Sequence, residues 1–165
     1  MLVYGEAGTG KTHIALEAYK TLIELGGSPR LLATEPGTTL LARETNTPYI
    51  EVLSMDKLVI ETTRIVAEGG YPIIDSINWH YRSSPGPRLG KQLAYLSALL
   101  REAGGLATAQ VSGGEAEPSG APYILPWAHV IVRTYRRKGV FYLEFQKPVR
   151  RILGFRIREE GIEWI

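Results

Sequence analysis

A glycine-rich segment near the start of the chain constrains the fold more than any other feature. It runs Gly5-Glu6-Ala7-Gly8-Thr9-Gly10-Lys11-Thr12 and matches the phosphate-loop pattern G-x-x-x-x-G-K-[ST]. The apolar residues 1–4 before it are typical of a short buried strand. Residues 11–25 after it repeat apolar side chains at helical spacing and end at a Gly-Gly pair. A strand, a glycine loop and a helix in this order predict an α/β fold with an anion site after the first strand.

The residue types in this segment are those that phosphate binding requires. Glycines let successive backbone N–H groups turn toward phosphate oxygens, and the N-terminus of the following helix attracts an anion. Lys11 is expected to bind the β- and γ-phosphates, and the Thr12 hydroxyl to ligate Mg²⁺. His13 is included in the nucleotide site, with a packing role as the alternative. The predicted ATP-binding residues are Gly5, Glu6, Ala7, Gly8, Thr9, Gly10, Lys11, Thr12 and His13.

Strands and helices alternate along most of the remaining chain. Strands are predicted at 30–34, 49–53, 73–75 and 106–110, and helices at 36–43, 54–66 and 89–103. Segments 83–87 and 111–122 are predicted loops, the second of them mobile. Strands at 130–135, 140–145 and 154–158 then follow with no helix between them. This order predicts one domain over residues 1–165, with a mostly parallel central sheet, flanking helices and an antiparallel C-terminal extension.

Three polar residues stand where predicted parallel strands end. Asp75 follows Ile73-Ile74 and is expected to hold Mg²⁺ through water. Glu35 follows strand 30–34 and could activate the attacking water, or could simply initiate the next helix. Gln110 ends strand 106–110 and could contact the γ-phosphate, or could be an ordinary polar residue at a loop mouth.

Charge and composition limit the remaining possibilities. The net charge is only +2, yet residues 133–158 carry nine basic side chains and one acidic side chain, Glu144. This segment is either a set of solvated strand faces or an anion-facing surface for nucleic acid or a neighbour's nucleotide. The absence of cysteine excludes disulfides and cysteine-ligated metals. No apolar run reaches membrane-spanning length and no signal peptide precedes the loop, so we expect a cytoplasmic protein that does not bind membranes.

The ordered set of motifs resembles the RecA-family recombinases of the archaeal RadA/RadB type, and most of all the RadB-type paralogues. The resemblance covers nearly the whole chain and rests on seven segments. These are Gly5 to Thr12, Ala33-Thr34-Glu35, Ile74-Asp75-Ser76 with His80-Tyr81-Arg82, Thr108-Ala109-Gln110-Val111, Trp127 with Ile131-Val132-Arg133, Phe155-Arg156-Ile157, and Gly161-Ile162. It implies a RecA-type P-loop core in which Glu35 is the catalytic carboxylate and Gln110 senses the γ-phosphate.

The resemblance also implies two DNA-facing loops, at 83–90 and 111–123. Arg82, Arg88 and Lys91 are the candidate DNA contacts of the first loop. The second contains two acidic and no basic residues over 111–117, whereas phosphate contacts need Lys or Arg. We therefore expect weak binding of single-stranded DNA. Met1 already lies in the first strand, so the family's preceding polymerisation arm and N-terminal DNA-binding domain are expected to be missing.

The resulting hypothesis is a minimal recombinase paralogue that binds ATP, hydrolyses it slowly, and assists or regulates RadA in homologous recombination and DNA repair. In this family the nucleotide usually lies between subunits, so Lys147, Arg150 and Arg151 are candidate contacts in trans with RadA. A KaiC-like signalling ATPase is one alternative, although those relatives carry two adjacent carboxylates where this chain has Glu35-Pro36. A nucleotide-dependent binding module without turnover is another. A small-molecule kinase is the least favoured, because loop 111–122 contains no arginine for a lid.

Overall fold

The computed structural model describes residues 1–113, 115–159 and 161–165. Gly114, in the second predicted DNA-facing loop, and Glu160, after the basic segment, lie outside the described residues. Nine strands are described: β1 (Leu2–Gly5), β2 (Pro29–Ala33), β3 (Tyr49–Glu51), β4 (Tyr71–Asp75), β5 (Leu106–Gln110), β6 (Ile131–Arg137), β7 (Val140–Lys147), β8 (Arg151–Arg158) and β9 (Gly161–Trp164). The helices are α1 (Lys11–Glu24), α2 (Pro36–Glu44), α3 (Met55–Ala67), α4 (Trp79–Ser83), α5 (Pro87–Ala103) and α6 (Ala121–Ile124), with a 3₁₀ turn at Leu125–Trp127.

All of these strands belong to one sheet in the order β3-β2-β4-β5-β1-β6-β7-β8-β9. The strands from β3 to β6 in this order pair in parallel, and the pairs β6–β7, β7–β8 and β8–β9 are antiparallel. Helices connect the parallel strands because a parallel crossover needs a long connection, whereas hairpins suffice for the rest. The predicted mostly parallel sheet with an antiparallel C-terminal extension is confirmed.

Alternation of apolar residues in the central strands places cores on both faces of the sheet. Leu32 and Ile74 face one side and pack with Leu58 of α3 and Leu93 of α5. Their neighbours face the other side, where Leu31 and Ile73 pack with α1 and α2. A third cluster joins β1 and α1 to the antiparallel strands through residues that include Val3, Ile14, Val132, Leu143 and Phe155. The extension is therefore part of the packed structure around the first strand and helix.

The structure differs from the predicted elements in several places. Helix α4 and strand β9 were not predicted, because each is too short to show a period. The predicted loop 83–90 is interrupted at Pro87, which begins α5, so Arg88 and Lys91 lie on a helix. The segment 111–122 ends in α6. The predicted cap of α3 is confirmed, since Ser54 Oγ accepts a hydrogen bond from the Lys57 backbone N–H at 3.2 Å.

Candidate functional site

The glycine-rich loop connects the C-terminal end of β1 to α1. Gly8 and Gly10 have φ angles of 72° and 87°, in the left-handed region that side chains with a Cβ rarely adopt. The Thr9 hydroxyl donates to the Glu6 carbonyl at 2.8 Å and shares a hydrogen bond of 2.7 Å with the Thr134 hydroxyl of β6. The loop is thus closed on itself and fastened to the neighbouring strand. The first N–H groups of α1, which have no acceptor within the helix, follow directly.

Lys11 provides a buried positive charge over this loop. Lys11 is only 8% exposed, and its Nζ donates a hydrogen bond to the Glu6 carbonyl at 2.7 Å. Burial lowers the pKa of Lys11 from its ordinary value, while the negative charges of Asp75 and Glu35 act in the opposite direction and the Arg82 charge lowers it further. An incoming anion would replace part of the lost hydration of this ammonium.

Asp75 ends β4 and is almost fully buried, with 2% of its surface exposed. Its Oδ2 accepts a hydrogen bond from the Thr38 hydroxyl at 2.7 Å, and its Oδ1 accepts one from the Thr108 hydroxyl. Two hydroxyl donors therefore fix the carboxylate at the sheet edge. Neither threonine was assigned a role from the sequence, although a polar residue inside the apolar strand at 106–109 was a usable signal.

Glu35 lies between β2 and α2, where its extended backbone precedes Pro36 at the first helical position. Its carboxylate forms an ion pair with Arg82 of α4, with Oε1 and Nη1 separated by 3.7 Å. The Glu35 side chain is 23% exposed, so water can reach it. This environment is compatible with a group that orients water, and it also shows a partner that the sequence did not predict.

Gln110 is the last residue of β5, and its main chain is held by Asn78. The Gln110 N–H donates to Asn78 Oδ1 at 3.0 Å, and Asn78 Nδ2 donates to the carbonyls of Gln110 and Ser119 at 2.9 and 3.0 Å. Asn78 is completely buried. The sequence analysis missed this residue, whose only signal was an amide side chain immediately before a short helix.

One cavity brings most of the predicted site residues together. It has a volume of about 310 Å³ and lies at the C-terminal edge of the parallel strands, where α/β folds usually bind ligands. Its described lining consists of Ala7, Gly8, Gly10, Lys11, Thr12, His13, Glu35, Gly37, Leu41, Asp75, Gln110 and Ile157. Gly5, Glu6 and Thr9 were also predicted to bind the nucleotide but are not among these described lining residues. Burial lowers the pKa of His13, which favours its neutral form.

The candidate DNA and trans contacts lie outside this cavity. Arg88 forms an exposed ion pair with Asp56 at 3.0 Å, and Lys91 is exposed on the same helix. Arg82 is oriented toward Glu35 instead of solvent. Lys147, Arg150 and Arg151 are exposed around the turn between β7 and β8, and Lys147 Nζ donates to the Ala128 carbonyl at 2.8 Å.

The donors around the cavity suit a magnesium nucleotide. Phosphates can bind to the backbone N–H groups of the glycine loop, to those at the start of α1, and to the Lys11 ammonium. Oxygen ligands for Mg²⁺ are available from Thr12 and Asp75. No cluster of three or more His, Cys, Asp or Glu suited to a metal ion occurs in the described residues. Mg²⁺ needs no such cluster, because it usually keeps waters and binds phosphate oxygens beside one or two protein ligands.

A glycine phosphate loop on a mostly parallel sheet with an antiparallel C-terminal section defines a RecA-type α/β fold. This assignment agrees with a solved structure, that of a KaiC-like protein from the hyperthermophilic archaeon Pyrococcus horikoshii OT3. The two chains are 19% identical, and the match has a TM-score of 0.73 over 99% of this chain and 88% of that chain. No protein-family model and no curated protein matches the sequence. In the described residues, no helix combines the length and apolar character that crossing a bilayer requires.

Proposed function

We propose that residues 1–165 form one nucleotide-binding domain that binds Mg-ATP and hydrolyses it slowly. The observation that carries this proposal is the convergence of four groups on one cavity: Lys11, Glu35, Asp75 and Gln110 all line it. Each lies at or after the C-terminal end of a different parallel strand. Together they match the groups that phosphoryl transfer to water requires. They are a phosphate-binding cation, a metal-holding carboxylate, a water-orienting carboxylate and a polar group toward the terminal phosphate.

Each residue has a distinct role in this proposal. Backbone N–H groups of the loop and Lys11 bind the phosphates, and Thr12 and Asp75 hold Mg²⁺, Asp75 through water. Bound Mg²⁺ supplies charge neutralisation on the phosphate oxygens. Glu35 orients and deprotonates the attacking water, and Gln110 hydrogen-bonds the terminal phosphate. Slow turnover follows because the described residues lining the cavity contain one lysine and no arginine to stabilise the transition-state charge.

The finer proposal is a recombinase paralogue of the RadA/RadB type that assists or regulates RadA in recombination and DNA repair. It is supported by the ordered sequence segments quoted above, which extend well beyond the phosphate loop. The exposed basic side chains Lys147, Arg150 and Arg151 are suited to contacts with a partner's nucleotide. Exposed Arg88 and Lys91 are suited to weak contacts with single-stranded DNA. The cytoplasmic location stays a prediction.

An ATPase assay on wild type and Lys11→Ala tests the first proposal, and adding single-stranded DNA and RadA tests the second. We expect slow wild-type turnover that Lys11→Ala abolishes, and a change in turnover or in RadA strand exchange when the three components are mixed. Turnover that persists in Lys11→Ala would refute the assigned site. Rates of ATPase and strand exchange that stay unchanged in the mixture would refute the recombination role and leave the ATPase assignment standing.

A KaiC-like signalling ATPase is the second candidate, and the structural likeness to the KaiC-like protein favours it. Against it stands the sequence Glu35-Pro36, which offers one carboxylate at this position because the side chain of Pro36 carries none. The two candidates differ in measurable properties. A hexamer with ATP-dependent phosphorylation of Ser or Thr supports the signalling function, whereas a response to RadA and DNA supports the recombination function.

A further inference from the structure

Arg82 occupies an unusual position beside the candidate water-orienting carboxylate. Its Nη1 lies 3.7 Å from Glu35 Oε1, close enough for an ion pair but longer than a hydrogen bond. The guanidinium also lies over the Trp79 ring, with its Cζ 5.3 Å from the ring centroid. The side chain is 22% exposed, so it is held between the carboxylate and the indole and is largely withdrawn from solvent.

The guanidinium reaches the site through Glu35 and not directly. Arg82 is not one of the described residues that line the phosphate cavity, whereas Glu35 lines it. On its other side, Glu35 borders a second cavity of about 180 Å³ that Trp79 and His80 also line. Glu35 therefore separates the phosphate cavity from the α4 side of the site. Nη1 of Arg82 is buried and finds no hydrogen-bond partner among the residues that the structure describes, where the Glu35 carboxylate is the acceptor that lies nearest as an ion-pair partner.

The short helix α4 fixes Arg82 relative to Gln110. The Arg82 backbone N–H donates to the Asn78 carbonyl at 2.9 Å, and the Asn78 side chain binds the Gln110 main chain. One five-residue helix and its preceding asparagine thus contact both the carboxylate of Glu35, assigned to the attacking water, and the main chain of Gln110, assigned to the terminal phosphate. A single rigid support is what a site needs if two groups must keep their separation within a fraction of an ångström.

We propose that Arg82 is a positioning residue that holds the Glu35 carboxylate at the phosphate cavity from the α4 side. This inference rests on the proposed ATPase function and adds a residue to it. Arg82 was predicted from the sequence as a DNA contact, and its ion pair gives it a different task in the described structure. Loss of the guanidinium frees the Glu35 carboxylate to rotate away from the water it would orient. ATP binding should remain, because the loop and Lys11 are untouched.

The test compares ATPase kinetics of Arg82→Ala, Arg82→Lys and Glu35→Gln with wild type. We expect Arg82→Ala to lower kcat by about 10- to 100-fold, as small misplacements of reacting groups do, with KM within about twofold. Arg82→Lys keeps the charge without the planar guanidinium, so its kcat should lie between those of Arg82→Ala and wild type. A double variant that combines Arg82→Ala with Glu35→Gln should turn over no more slowly than Glu35→Gln alone, because both changes act on the Glu35 carboxylate. Arg64→Ala is the matched control, since the exposed side chain of Arg64 on α3 pairs with Glu61 at 2.6 Å, away from the phosphate cavity.

The outcomes separate this inference from the proposed function. Wild-type turnover that needs Lys11 but is unchanged or raised in Arg82→Ala overturns the positioning role alone. A raised KM with retained kcat also overturns it, because that pattern means a direct contact with the nucleotide. A wild type without Lys11-dependent turnover overturns both. If Arg82→Ala does not fold, Arg82→Lys decides: reduced kcat at unchanged KM supports the proposal, and wild-type kcat contradicts it.

Discussion

Gly5 is the last residue of β1 and the first residue of the phosphate loop, and it lies against the backbone of β6. Its register partner in β6 is Thr134, the residue whose hydroxyl holds Thr9 of the loop. An added Cβ would overlap both Thr134 Oγ1 and the Thr134 carbonyl oxygen, and it would lie 2.9 Å from Thr9 Oγ1. The carbonyl belongs to the backbone, so a side-chain rotation cannot relieve this overlap. We predict that Gly5→Ala destabilises the protein.

The magnitude follows from the groups that must move. Overpacking of this kind costs about 1–3 kcal/mol. Breaking the hydrogen bond between the Thr9 and Thr134 hydroxyls adds about 1 kcal/mol. The free energy of unfolding should therefore fall by about 2–4 kcal/mol, which corresponds to a decrease in Tm of roughly 4–16 °C for a chain of this size.

Urea denaturation followed by circular dichroism measures this change, and Gly37→Ala is its control. Gly37 lies in the first turn of α2, where an added Cβ meets nothing within 4 Å. The control should change the free energy of unfolding by less than about 0.5 kcal/mol. If Gly5→Ala were as stable as Gly37→Ala, the close approach between the loop and β6 would be incorrect.

Three further changes test other contacts. Thr108→Val removes a buried hydroxyl that donates to Asp75, and urea denaturation should show a loss of about 1.5–3 kcal/mol in the free energy of unfolding. The control is Thr62→Val, which should change stability little because the Thr62 hydroxyl donates to the Leu58 carbonyl of its own helix. Equal effects would contradict the buried Asp75 network. Ser54→Ala should lower stability by about 1 kcal/mol through loss of the α3 cap, and no change in thermal denaturation would refute the cap. Burial lowers the pKa of His80 below 6.5, so the unfolded chain binds more protons there and stability should fall as the pH drops through 6.5 toward that lowered pKa. His80→Asn should make stability less dependent on pH over this range, and an unchanged dependence would show that His80 contributes nothing.

The long elements were predictable because each shows its own local pattern. The apolar run before Gly5, the helical spacing of Ile14, Ala18 and Leu22, and the Ser54 cap all lie within a few residues of the structure they specify. Helix α4 could not be found this way, since five residues complete little more than one turn. Strand β9 begins at Gly161, whose φ is 133°, and contains only four residues. Its place depends on pairing with β8, which is a tertiary interaction.

The candidate site was predictable to the extent that it lies at strand ends. Parallel strands end at one edge of a sheet, so the sequence alone suggested that Asp75 and Gln110 lie near the phosphate loop. The supporting contacts were hidden because they join residues far apart in the chain. Asn78 reaches Gln110, Thr38 reaches Asp75, and Phe155 of β8 packs against Gly10, where an added Cβ would lie 3.0 Å from the phenyl ring. None of these pairings has a signature in the local sequence.

The central claim is that Lys11 and the glycine loop bind the phosphates of a magnesium nucleotide. Titration calorimetry with a non-hydrolysable Mg-ATP analogue, on wild type and Lys11→Ala, tests it most directly. We predict one site per chain in wild type and binding weaker by about 10- to 100-fold in Lys11→Ala, the effect of losing one charge-assisted contact. Absence of binding heat in the wild type, or equal affinity of the two proteins, would contradict the account.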